Sequence, residues 1–69
     1  MPAQKVLKKL HQAGFQEMHQ RGSHLYLQHT DGMRLVTVPV HGKKDIPLGT
    51  LRAIVLHQAG LSIDEFNAL

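Results

Sequence analysis

The alternation in His24-Leu25-Tyr26-Leu27-Gln28 constrains this chain more than any other stretch. Successive side chains of a strand point to opposite faces, so Leu25 and Leu27 share one side while His24, Tyr26 and Gln28 share the other. With the leucines turned toward a core, His24 and Tyr26 stand on the open face of a sheet, about 7 Å apart. Gly22-Ser23 just ahead reads as a tight turn. Thr30-Asp31-Gly32 just behind reads as a second, Asp-Gly being the favoured pair for a tight hairpin. Met33 to Val38, rich in branched residues, is the expected third strand, and Pro39 ends its ladder because it has no amide hydrogen to donate. Gln16 to Arg21 is polar apart from Met18 and alternates poorly, yet its place before the turn makes it the first strand of an antiparallel meander.

Helical signals flank these strands. Pro2 suits a first helical turn, and Val6, Leu7 and Leu10 recur at helical spacing, so the first helix is expected over Pro2 to Ala13. Gly14 is placed to take the left-handed conformation that closes it, with Phe15 folding back on the last turn. Lys5, Lys8 and Lys9 occupy the polar arc, either as an ordinary solvated face or as a rim facing phosphates. Val40 to Ile46 has no period of either kind and is expected to be a basic loop. Pro47 then precedes a helix with Leu51, Ile54, Val55 and Ala59 on one face, closed by Gly60. Ser62 and Glu65 have the spacing of a capping box, which starts a short terminal helix carrying Phe66 and Leu69.

The expected architecture is therefore α+β: one small domain over residues 1–69, ordered α-β-β-β-α, with a three-stranded antiparallel sheet, helices on one face and a short C-terminal helix. That is the topology of double-stranded-RNA-binding domains, although a topology does not fix a function. At 69 residues only about 60% of the unfolded surface can be buried, so stability is expected to be marginal. There is no cysteine, which excludes disulfides and thiolate metal sites and fits a reducing cytoplasm. No apolar run reaches membrane-spanning length and the first residues do not form a signal peptide. The formal charge of +3, with six histidines that add more below neutrality, favours a polyanionic partner. Aromatic residues make up only 4%, so phosphate contact should outweigh base stacking.

Several segments in this order resemble the HicA-type mRNA interferase toxins of bacterial and archaeal toxin–antitoxin modules. They are Ala13-Gly14-Phe15, Gly22-Ser23-His24, Val36-Thr37-Val38-Pro39 with His41, Ile46-Pro47, Gly49-Thr50-Leu51, Ile54 and Ala59-Gly60-Leu61. The resemblance implies a double-stranded-RNA-binding-domain-like fold, cleavage of mRNA without a metal, and neutralisation by a HicB-type antitoxin. It also implies that His24 is the catalytic residue. Two positions depart from the pattern: Leu48 stands where many relatives carry a basic residue before Gly-Thr, and His57 lies near a place where lysine is common. Both lower the positive charge expected along the RNA path.

The residues suit that chemistry. RNA can be cut by its own 2′-hydroxyl, a nucleophile already tethered beside the phosphorus, so the protein need only move protons and hold charge. An imidazole near neutrality can do the first, as general base or as general acid. Gly22 lets an anion approach the main chain closely, and Gly22 and Ser23 are candidate RNA contacts. His41, Lys43 and Lys44 are candidates for the second proton-transfer role or for holding the phosphorane charge. Tyr26 is a candidate to orient a phosphate or stack on a base. Taken alone, Gly-Ser-His is also an ordinary hairpin turn with an exposed histidine after it. His19, His24 and His29 lie five apart, and His11 and His57 fall on separate helices, so no pair has the short spacing of a structural zinc site. No cofactor is expected. The expected partners are mRNA and a HicB-type antitoxin, with a homodimer or a toxin–antitoxin hetero-oligomer both open. A module of the same fold that binds RNA or protein without cutting is the competing reading.

Overall fold

In the computed structural model, which describes residues 1–42 and 44–69, the elements follow the expected order. Helix α1 spans Ala3–Gln12, strand β1 Phe15–Arg21, β2 His24–His29 and β3 Leu35–Pro39. Helix α2 covers Leu48–Arg52 and continues without a break into a π-helical segment, Ala53–Gln58, before the short α3, Ile63–Asn67. The strands form one antiparallel sheet in the order β1-β2-β3.

The alternation in β2 and β3 positions the core. Leu25, Leu27, Val36 and Val38 are all buried, and the register pairs Leu25 with Val38 and Leu27 with Val36, so the four share one face. Ala3, Val6, Leu7 and Leu10 of α1 pack there with Ile54, Val55 and Ala59 of the second helix, which puts both helices on the same side of the sheet. Full burial of each large aliphatic side chain contributes about 1.5–3 kcal/mol. Helix α3 adds Phe66 to the same core, and its capping box is complete: the Glu65 backbone N–H donates to the Ser62 hydroxyl, and the Ser62 N–H donates to the Glu65 carboxylate.

Four local features differ from the sequence expectation. Strand β1 starts at Phe15, whose buried ring lies edge-on to His29 at 4.9 Å between centroids. Its pairing with β2 slips between Glu17 and His19, a bulge at Met18, which is why its alternation is hard to read. The Asp-Gly turn is wider than a two-residue hairpin, because β3 begins only at Leu35. There the Asp31 carboxylate accepts from the backbone N–H groups of Met33 and Arg34, so a side chain shapes the loop. Finally, the second helix widens after Arg52, with the Ala59 N–H donating to the Ile54 carbonyl five residues earlier. That widening sets Gln58 against the sheet, where its Oε1 accepts from the Thr37 N–H at 2.7 Å.

The lysines of α1 divide. Lys9 Nζ donates to the Phe66 and Leu69 carbonyls at 3.2 and 3.0 Å and stands over the Phe66 ring, so it holds the C-terminal helix rather than a phosphate. Lys5 and Lys8 stay exposed.

Candidate functional site

Gly22 and Ser23 are the two residues between β1 and β2, and Gly22 takes φ 58, the left-handed conformation that a glycine adopts at least cost in so short a turn. An added Cβ there would have nothing within 4 Å, so the turn is open for a ligand to approach the main chain. The Ser23 carbonyl accepts from the Val40 N–H at 2.6 Å. The Gln20 amide nitrogen donates to the Gly22 carbonyl at 3.0 Å and braces the turn from β1.

His24 is the first residue of β2 and is exposed. It pairs with Arg21 on one side and Pro39 on the other, so these three side chains emerge on the same outer face. Tyr26, half-buried, follows on that face and stacks on His19 with ring centroids 4.6 Å apart and planes within 12°. The Met18 bulge brings His19 opposite Tyr26. Met18 and Leu35 flank the same face, with Tyr26 between them, around a shallow recess of about 250 Å³.

Of the remaining candidates, His41 is exposed and follows Val40, which is itself bonded to Ser23, so the start of the 40–46 loop is tied to the Gly22-Ser23 turn. Lys44 is exposed, and its N–H donates to the His41 carbonyl at 3.2 Å. Lys43 lies outside the described residues. The structure thus gathers Gly22, Ser23 and His24 at one end of the sheet, with His41 leaving from the neighbouring strand end and Tyr26 one step further along the face.

Arg21 and His19 are the residues that sequence reasoning passes over. Arg21 has a signal: a two-residue turn at Gly22-Ser23 dictates that Arg21 and His24 face each other. His19 has none, because its place depends on the bulge. A different cluster stands at the far end of β2. His29 Nε2 lies 2.8 Å from the Ala13 carbonyl and its Nδ1 accepts from the Asp31 N–H, which makes it a structural histidine. Beside it, the Met33 backbone N–H and then the Arg34 guanidinium hold the Asp31 carboxyl down at about 2. Among the described residues, no three histidine or carboxylate side chains converge as metal ligands.

No described helix is long and apolar enough to cross a membrane. No curated protein matches the chain. A family model described as HicA toxin of bacterial toxin-antitoxin matches residues 3–61, a span that takes in both long helices, the whole sheet and every candidate residue above. This chain therefore belongs to the HicA toxin family of bacterial toxin–antitoxin systems, which implies an antitoxin as its partner.

Proposed function

We propose that the chain is an endoribonuclease that cleaves mRNA without a metal, uses His24 for proton transfer, and is neutralised by a HicB-type antitoxin. The observation that carries this reading is the exposed His24 imidazole at a turn-to-strand junction, with Arg21 directly across and an open glycine backbone beside it. In the reaction, the ribose 2′-oxygen attacks the adjacent phosphorus. The P–O2′ bond forms and the P–O5′ bond breaks, leaving a 2′,3′-cyclic phosphate and a 5′-hydroxyl. His24 either accepts the 2′ proton or delivers a proton to the departing 5′-oxygen. Arg21 holds the phosphate and the charge that builds on it. His41, Lys43 and Lys44 supply the second proton transfer or further charge stabilisation, and Gly22 and Ser23 receive the RNA backbone. Tyr26 offers a stacking surface for a base.

The antitoxin acts by covering this face. Among the described residues the outer face presents His19, Arg21 and His24 but no carboxylate, which suits an acidic partner segment laid over His24. A complex that leaves His24 open to solvent would exclude occlusion.

The nuclease reading is tested by His24→Ala. One positioned acid or base contributes about 10²–10⁴-fold, so the variant should lose cleavage by that factor and no longer arrest growth, while circular dichroism shows the fold intact. Undiminished cleavage by the variant would end the proposal. A wild-type protein that shifts an RNA band without shortening it would point instead to a binding module.

A further inference from the structure

One hollow among the described residues lies not on the His24 face but behind it, between α1 and β1. It is an open groove of about 460 Å³, within the range of small-ligand sites. Its existence explains an oddity of β1: past Phe15 the strand is exposed on both faces, and the residues turned toward the helix layer, Glu17 and Gln20, are polar. A strand whose inner positions were meant for core would not carry an amide and a carboxylate there. The groove has an apolar floor that includes Leu7 and Leu25, and polar walls. Gln4 and Gln12 stand on the α1 wall with side-chain amides that have no partner among the described residues, and Lys8 lies between them. The one carboxylate, Glu17, is paired with His11 at 3.0 Å at the end near the Gly14 turn.

The other end of the groove reaches the candidate site. Gln20 lines it and also braces the Gly22 carbonyl, and Val40 lines it and also binds the Ser23 carbonyl. His24 follows directly on the Gly22-Ser23 turn, so the candidate catalytic position and this end of the groove lie on either side of the same turn.

We propose that the α1–β1 groove is a nucleobase subsite: the base adjoining the cleaved phosphate lies on the apolar floor and its edge is read by a glutamine amide of the α1 wall. This rests on the nuclease reading and adds to it a source of sequence preference on the opposite side of the turn from the catalytic histidine. Primary amides present a donor and an acceptor side by side, the pattern that pairs with the N6 donor and N7 acceptor of adenine, so adenine is the base that fits best. Single-stranded RNA offers such edges because its bases are unstacked.

The test uses the full chain carrying His24→Ala, which holds RNA uncut, and short single-stranded RNAs that differ at one base. The glutamine side-chain amide signals in NMR should move on titration, with adenine bound roughly tenfold tighter than the other bases, and Gln4→Ala with Gln12→Ala should erase that ratio. In the cleaving protein the same two substitutions should flatten the distribution of cut sites. RNA that binds with no base preference, or that leaves these amides unmoved, overturns the subsite. A wild-type enzyme that cuts RNA at the same sites as the Gln4→Ala/Gln12→Ala variant overturns it while leaving the nuclease reading standing. A protein that neither binds nor cuts RNA overturns both, and amide shifts produced only by an antitoxin protein assign the groove to that partner instead.

Discussion

At the scale of single residues, Gly14 and His29 meet closely at the end of the sheet away from the candidate site. Gly14 has φ 100, and a Cβ added there would stand 2.8 Å from His29 Nε2, an atom held against the Ala13 carbonyl. Gly14→Ala should therefore lower stability by at least about 1–2 kcal/mol, the cost of left-handed backbone alone, and a denaturant titration will read it. Asp31 gives a signed pH dependence. Its folded value of about 2 lies below the 3.8 of the free carboxyl, because the Met33 N–H and the Arg34 guanidinium favour the charged form. A depressed carboxyl stabilises the fold above its unfolded value and loses that contribution as pH falls through its folded one. Between about pH 4 and pH 2 the wild type should lose thermal stability more steeply than Asp31→Asn, and parallel curves would contradict the assignment.

At the scale of elements, α3 depends on its cap more than on its length, since five residues are too few to be helical unaided. Ser62→Ala removes the hydroxyl that accepts from Glu65 and should cost about 0.5–2 kcal/mol, seen first as faster amide exchange from residue 63 onward. The Ser62-x-x-Glu65 pattern makes this cap legible in the amino-acid sequence, as the leucines of β2 and the branched residues of β3 make the sheet legible. In those places one residue type serves one face at a fixed period. Strand β1 is hard to read because two influences act at once: the bulge at Met18 breaks the period, and the inner positions face a wet groove instead of core. The π-helical turn leaves no trace because Leu51, Ile54, Val55 and Ala59 fit an ordinary helix nearly as well; the tie from Gln58 to Thr37 is a tertiary contact, which no local pattern encodes. At the candidate site, the Gly22-Ser23-His24 placement is legible for a local reason. Arg21 requires the register, and the groove requires the packing of α1.

At the scale of the whole molecule, one long side chain joins the two ends of the chain. Lys9 reaches from α1 to the last carbonyls of α3, so a charge that the sequence allows as part of a phosphate rim holds the fold together. Lys9→Met keeps the alkyl stem and removes these charged hydrogen bonds; stability should fall by about 1–3 kcal/mol in thermal unfolding while RNA affinity hardly changes. The outer sheet face carries a different consequence. The protein has one tyrosine and no tryptophan, and that tyrosine lies flat on His19 along the strand that begins at His24. Its near-ultraviolet emission thus comes from one phenol, quenched or released by the imidazole against it. Whatever settles on that surface, nucleic acid or antitoxin, will announce its arrival without a dye.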